Sequence, residues 1–265
     1  MNTVVIAILS VSALGLICSV LLSVASKVMA VEVDERIAMT RQCLPGANCG
    51  ACGYSGCNAY AAAVAQNSAP TNLCTPGGND LAQELSEIMG LDAGEAITKK
   101  VAVIHCLGDI DAKIEKMDYV GIPTCASAAL HYGGQKACAF GCLGFGDCLT
   151  VCPSDAICIE KGLARINHRL CSGCGLCVKT CPKNVISMEN DHLKLAVMCN
   201  NTEKGSVLKE KCKVGCIGCM KCVKECPADA IAVDDSLASI DYAKCIGCKK
   251  CIPICPKSCI VDFTL

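Results

Sequence analysis

An α+β fold built from small cysteine-rich modules, behind a single N-terminal transmembrane helix, is what this sequence predicts. Three observations predict it. Residues 3–26 are apolar and carry no charge. Twenty-eight of the 265 residues are cysteine, and they fall into tight runs. The second half of the chain also repeats the first of its two cysteine arrays at a shift of 74 residues.

The apolar run "TVVIAILSVSALGLICSVLLSVAS" is long enough, as a helix of about 36 Å, to cross a hydrocarbon core of roughly 30 Å. A secretory signal peptide is the rival reading, with "VMA" at 28–30 as its cleavage site. Against it, no basic residue precedes the run, and export would deliver the cysteines to an oxidising compartment. Lys27, Arg36 and Arg41 follow the run and favour a cytoplasmic C-terminal side. Cys18, in the middle of this helix, acts there as a small apolar group.

Composition narrows the function. Lys plus Arg number 24 and Asp plus Glu 25, with 3% aromatics and no Trp, so neither a basic face nor a stacking platform exists for nucleic acid. The hydrophobic fraction of 52% includes the cysteines and the N-terminal run. What remains is short and Gly-rich, and such modules need a bound centre to hold them. Beyond a charged connector, "NAYAAAVAQN" reads as a small-residue helix and "DLAQELSEIMG" at 80–90 as an amphipathic one, from an Asp80 cap to a Gly90 stop. "KKVAVIHC" at 99–106 reads as a strand, with His105 a strand residue and not a ligand.

In the repeat, Cys125, Cys138, Cys142, Cys148 and Cys152 fall on Cys199, Cys212, Cys216, Cys222 and Cys226. Cys171, Cys174, Cys177 and Cys181 fall on Cys245, Cys248, Cys251 and Cys255. A proline follows each terminal member: Pro153, Pro182, Pro227 and Pro256. "CIGCMKCVKECP" and "CIGCKKCIPICP" have the C-x2-C-x2-C-x3-C-P spacing of two-cluster ferredoxins, in which the fourth cysteine ligates the other cluster. Cys216, Cys219, Cys222 and Cys255 are thus expected to hold one [4Fe–4S] centre, and Cys245, Cys248, Cys251 and Cys226 another. Zinc ribbons lack the third cysteine and the crossed fourth. In the first copy Phe145 stands where the second has Cys219. Cys138, four residues ahead of Cys142, is expected to fill that corner with Cys148 and Cys181; a three-iron centre is the alternative. Cys171, Cys174, Cys177 and Cys152 complete the pair. Gly141, Gly144 and Gly146 do not form a dinucleotide fingerprint, and no P-loop is present, so the chain shows no site for hydride chemistry.

Near the anchor, "CGACGYSGC" and the later "CTPGG" give C-x2-C-x4-C-x16-C, which reads as Cys49, Cys52, Cys57 and Cys74 closing one more [4Fe–4S] cage, with zinc as the other chemical option. Cys43 is a spare thiol. The expected division is an anchor over 1–27, a [4Fe–4S] domain over 28–90, an α/β connector over 91–135 and ferredoxin-like modules over 136–198 and 199–265.

An apolar N-terminal helix, "CGACGYSGC…CTPGG", "GCLGFGDC…CP" and ferredoxin runs together resemble the RnfB family over essentially the whole chain. Its members are the B component of the Rnf complex, the ion-translocating ferredoxin:NAD oxidoreductase. The "CGxCGYxGC" block is also similar to the cluster domain of corrinoid iron–sulfur proteins. The Rnf resemblance implies an electron-entry subunit of a translocase in the cytoplasmic (inner) membrane, a single-pass protein with its clusters on the cytoplasmic side. It implies ferredoxin as donor, membrane and flavin/NAD subunits as partners, and Na+ or H+ as the coupled ion. A membrane-tethered polyferredoxin subunit of a hydrogenase or other dehydrogenase is the alternative.

At least five clusters are expected. Among the remaining sulfurs, Cys158 and Cys259 read as core thiols, while Cys106, Cys125, Cys199 and Cys212 form the hypothesis of a sixth cluster between modules. Lys221, Lys224, Lys249 and Lys250, in "MKCVKE" and "CKKC", are candidate contacts for an acidic ferredoxin, weighed against ordinary solvated lysines.

Overall fold

The computed structural model describes residues 2–28, 34–91, 94–191 and 195–262. The end of the candidate cleavage stretch at 28–30, part of the charged connector and the last three residues of the second module lie outside these.

Helix α1, Asn2–Val28, carries its apolar side chains exposed, with Val11 at 72%. Among the described residues no helix is long and apolar enough to cross a membrane. The expected membrane span is therefore not established by the fold.

Helices α2 (Glu35–Cys43), α3 (Cys57–Ala65) and α4 (Gly78–Met89) form the first small domain. Asp34 caps α2 by accepting from the Arg36 N–H at 3.0 Å. Leu81, Ala82, Leu85 and Ser86 give α4 one buried stripe, which packs on Tyr60, Ala61 and Val64 of α3. The helix begins two residues before the expected Asp80, which lies in its first turn and favours the helix N-terminus by charge. It stops at Gly90, as expected, in the left-handed conformation with φ 64°. The Tyr60 hydroxyl donates to the Pro70 carbonyl at 2.8 Å and accepts from the Leu73 N–H at 3.2 Å, so its burial leaves no polar group unpaired.

The two repeats share one plan. Short helices α6 (Asp147–Thr150) and α7 (Leu176–Thr180) of the first recur as α9 (Lys221–Glu225) and α10 (Cys251–Ile254) of the second. Between them lie hairpins, β2 (Ile157–Glu160) with β3 (Leu163–Ile166) and β6 (Ile231–Asp234) with β7 (Leu237–Ile240). Both are closed by two residues of positive φ, Lys161–Gly162 and Asp235–Ser236, as a tight primed turn requires. Each repeat then takes a strand from the chain ahead of it. β1 (Lys100–Ile104) pairs antiparallel with β4 (Ile186–Asn190), and β5 (Leu195–Val197) with β8 (Ile260–Asp262). The modules thus extend upstream of their cysteine arrays, the first into the stretch expected to be a connector and the second across the 198/199 division.

β1 is buried on both faces, which explains its unbroken apolar run. Ala102 and Ile104 join the core of the first module, while Val101 and Val103 meet Ala196 of β5. His105 continues the join: one ring nitrogen lies 2.8 Å from the Val197 carbonyl and the other 2.6 Å from the Ser187 hydroxyl. It is a structural tie, as its strand setting suggested. Two further short helices, α5 (Cys125–Leu130) and α8 (Gly205–Lys209), flank the modules.

Because Leu85 is wholly buried beside Cys57 and Cys74, Leu85→Ala is expected to destabilise the first domain by about 3 kcal/mol. Chemical denaturation followed by far-UV circular dichroism measures this; a midpoint equal to that of the parent chain would contradict it.

Candidate iron–sulfur sites

Each cysteine run folds as a loop in which residues of positive φ flank the second corner. The pairs are Gly144 and Gly146, Gly173 and Gly175, Gly218 and Met220, and Gly247 and Lys249. Such alternation turns successive backbone N–H groups toward one concavity, a surface suited to an anion. At Gly173 glycine is required twice over, by its φ of 72° and because a Cβ would lie 2.5 Å from the Lys100 carbonyl oxygen of β1. After each loop a short helix turns the last cysteine away in an extended conformation, at Cys181, Cys226 and Cys255.

That turn sends the fourth sulfur across. Cys216, Cys219, Cys222 and Cys255 line one cavity, and Cys226, Cys245, Cys248 and Cys251 line a second. In the first module Cys171, Cys174 and Cys152 are the sulfur neighbours of the buried Cys177. In the first domain Cys49, Cys57 and Cys52 surround Cys74. These four groupings are those expected from spacing.

Two groupings differ from expectation, by the exchange of one residue. Cys138 does not join Cys142, Cys148 and Cys181; Cys125 does. Asp147 explains the choice. Its carboxylate accepts from the N–H groups of Cys125 at 2.7 Å and Ala126 at 2.9 Å, clamping the start of α5 beside Cys148. Thr124 caps the same helix through the Ser127 N–H. Phe145, in the vacated corner, packs on Tyr119 at a ring separation of 5.5 Å. Cys138 instead faces Cys106, Cys199 and Cys212 around a cavity between the modules. The sixth grouping therefore exists with Cys138 in place of Cys125. The capping pair Thr124–Cys125 and the "GDC" at 146–148 were the signals available in the sequence.

Four of the groupings thus line small cavities between their loops. Among the described residues, no group of three or more His, Cys, Asp or Glu converges on a single-ion site. Four sulfurs ringing an apolar void, with N–H groups turned inward, fit a [4Fe–4S] cubane. Backbone N–H groups also donate to the sulfurs themselves: Ala156 to Cys152 and Ala230 to Cys226, both at 3.4 Å, and Ala102 to Cys171 at 3.5 Å. Cys259, placed in the core as expected, also borders the Cys216 cavity, 3.5 Å from the Cys255 sulfur. Cys43 donates to the Met39 carbonyl of its own helix, apart from these groupings.

The groupings adjoin in single file. Lys179 of α7, beside the Cys177 group, donates to the Cys49 carbonyl at 3.0 Å. Cys177 neighbours Cys148, Cys106 neighbours Cys142, Cys216 neighbours Cys199, and Cys222 neighbours Cys251. The order runs from the first domain, through the Cys177 and Cys148 groups, across the Cys106 group, to the Cys222 and Cys251 groups.

Burial pushes the thiols up: Cys148 to about 12, and Cys177, Cys199 and Cys251 to about 11, with neighbouring sulfurs adding to the shift in each. The metal-free chain therefore holds these thiols protonated at neutral pH, while the ligand is the thiolate. Iron must displace protons, and protons compete better as pH falls. Anaerobic loading of the metal-free chain with iron and sulfide is expected to release protons and to speed up from about pH 7 to about pH 9. Visible absorbance with a pH indicator follows both; loading independent of pH would contradict the assignment.

Comparison with known proteins finds iron–sulfur modules along the chain. A model described as a putative Fe-S cluster matches residues 44–76. Models of a 4Fe-4S dicluster domain match 170–231 and 215–259, and the LdpA Fe-S cluster-binding domain matches 147–192. The chain is 41% identical over 261 residues to the B component of the Na(+)-translocating ferredoxin:NAD(+) oxidoreductase complex of Acetobacterium woodii, covering 98% of this chain and 78% of that protein. It is 41% identical to the B component of the proton-translocating counterpart in Clostridium ljungdahlii, over 91% of this chain and 85% of that one. With the B component of the ion-translocating oxidoreductase complex of Methanosarcina acetivorans it shares 39% identity, over 92% and 93%. Relatives of this identity and coverage, together with the iron–sulfur modules, establish that the chain belongs to the RnfB family, the B component of the Rnf ion-translocating ferredoxin:NAD(+) oxidoreductase complexes.

Proposed function

We propose that the chain is the iron–sulfur relay of such a complex, accepting low-potential electrons from reduced ferredoxin and delivering them toward its membrane and flavin/NAD subunits, with Na+ or H+ moved by the whole. The single-file order of the cysteine groups carries the reading. A [4Fe–4S] cluster in each group supplies a one-electron carrier of low potential. The chain's own residues hold six of them in series: Cys49, Cys52, Cys57 and Cys74; Cys152, Cys171, Cys174 and Cys177; Cys125, Cys142, Cys148 and Cys181; Cys106, Cys138, Cys199 and Cys212; Cys216, Cys219, Cys222 and Cys255; Cys226, Cys245, Cys248 and Cys251.

The two ends of the series differ, and the difference gives it a direction. At the far end Cys248 is exposed and Lys249 and Lys250 border its cavity, with Lys221 and Lys224 exposed on α9. A carrier of acidic surface is steered to such an end. Lys249 is already paired with Asp262, which leaves the other three more available. At the near end the first domain follows α1. As part of the proposal α1 is a single-pass anchor in the cytoplasmic membrane, with the modules on the cytoplasmic side. Its 27 helical residues extend about 40 Å, and its apolar side chains are exposed.

Two measurements test this. The chain purified without air is expected to hold about twenty-four iron. Cys212→Ala is expected to lose about four iron and to stop ferredoxin-driven electron transfer to the first domain, while dithionite still reduces the remaining centres. About twenty iron in the parent chain, or unimpaired transfer in the variant, would overturn the six-site relay. Separately, Lys221→Glu, Lys224→Glu, Lys249→Glu and Lys250→Glu combined are expected to slow reduction by ferredoxin at least tenfold at low salt and to flatten its salt dependence. Rates unchanged at every salt concentration would remove this face as the entry point.

A further inference from the structure

One cation in the interior has no anion to answer it. Lys113 is 6% exposed, and its ammonium donates to the carbonyl of Cys142. Among the described residues no carboxylate lies within ion-pair distance of it, whereas its buried neighbour Lys136 pairs with Glu115 at 3.2 Å. An ammonium enclosed in protein without a counter-charge is strongly disfavoured, so a fold that buries one places it against negative charge.

The backbone fixes Lys113 in place from both sides. Residues 112–116 run as a strap between two others: Lys213 donates to Ala112 and Ile114 to Lys211 on one side, and Lys116 donates to Gln135 and Ala137 to Ile114 on the other. Lys113 and Cys212 form a bridge pair in this strap. The lysine stem lies against Gly108, where an added Cβ would come within 2.7 Å of Cγ and Cε. A Cβ on Gly141 would lie 3.4 Å from the lysine Nζ and 3.6 Å from the Cys138 sulfur. The ammonium thus sits between the Cys142 group, whose carbonyl it holds, and the Cys138 group, whose cavity it borders. The Cys138 sulfur has a donor of its own: Asn201, 1% exposed, gives its amide N–H to it at 3.4 Å.

We infer that Lys113 is a potential-setting residue at the joint of the relay, its ammonium acting as built-in counter-charge to the two centres on either side. A cubane with its four thiolates is an anion and gains one more negative charge on reduction, so a nearby cation favours the reduced form of both. No proton or electron passes through Lys113. It positions charge, and by holding the two flanking centres at matched, raised potentials it eases transfer between modules. Nothing comparable is buried at the other joints among the described residues.

This inference rests on the six-site reading, and the experiment separates the two. Iron content of the parent full-length chain tests the reading: about twenty iron in place of about twenty-four removes the Cys138 group. Redox titration followed by EPR tests Lys113, which faces Cys142 in either case. Lys113→Met is expected to keep full iron and to move at least one midpoint to lower potential, whereas Lys113→Arg keeps the parent values and Lys136→Gln moves none. Unmoved midpoints in a fully loaded Lys113→Met overturn the inference. If Lys113→Met does not load, Lys113→Arg decides: full iron with parent midpoints supports a role for the charge. Loss of iron in both variants shows that shape alone matters, and overturns it.

Discussion

No ring of four sulfurs in this chain is closed by one continuous run, and the remaining architecture follows from that constraint. Where three cysteines share a loop the fourth arrives from another, as Cys255 does beside Cys216, and the Cys106 group draws Cys138, Cys199 and Cys212 from separate segments. Closing the ring therefore fixes tertiary structure. The apolar supply is small: the core of each module is a few residues such as Leu163, Val185 and Ile186, mixed with the cysteines themselves. In modules of this size ligation energy does what a larger core does elsewhere. The two-residue hairpins and the short helices after each loop serve to aim sulfurs, with little extent of their own.

Charge sets the second constraint. Several anionic centres in a chain with 24 basic and 25 acidic side chains cannot be balanced by net composition. Compensation has to be local, and the structure distributes it unevenly. Backbone and amide N–H groups serve Cys152, Cys171, Cys226 and Cys138, and among the described residues a buried lysine without a carboxylate partner stands only at the joint between modules. Lys183 shows the contrasting surface case: burial pulls its ammonium down, while the nearby Cys138 and Cys181 sulfurs oppose the fall.

Much of this was legible in the sequence because cysteine spacing and turn chemistry are local. The crossed fourth ligand follows from C-x2-C-x2-C-x3-C-P, and the Gly90 stop from its place after an apolar stripe. The exchange of Cys125 and Cys138 could not be read from cysteine spacing, because a side chain 22 residues away, Asp147, decides it; only the Thr124–Cys125 cap and the "GDC" at 146–148 pointed to it. Proximity in sequence favoured Cys138, and the 74-residue register matched Cys138 to Cys212 without saying that both would turn to the same cavity. The pairing of β1 with β4 was hidden for the same reason. Lys113, in a stretch as charged as "DIDAKIEKMD", carries no mark of burial at all; only the strap's two backbone neighbours put it inside.

The strand that joins the modules has a consequence for biosynthesis. β1 leaves the ribosome more than eighty residues before β4, a delay of several seconds at about 5–20 residues per second. During that interval Val101–Ile104 is an apolar β-forming segment without a partner, a state prone to mispairing. Cys106, at its end, waits longer still, since its group is complete only when Cys212 emerges. Its four sulfurs are nevertheless all made before those of the second module's loops, so the groups become complete in the order of the row as far as this one, and the Cys222 group, which needs Cys255, is complete last.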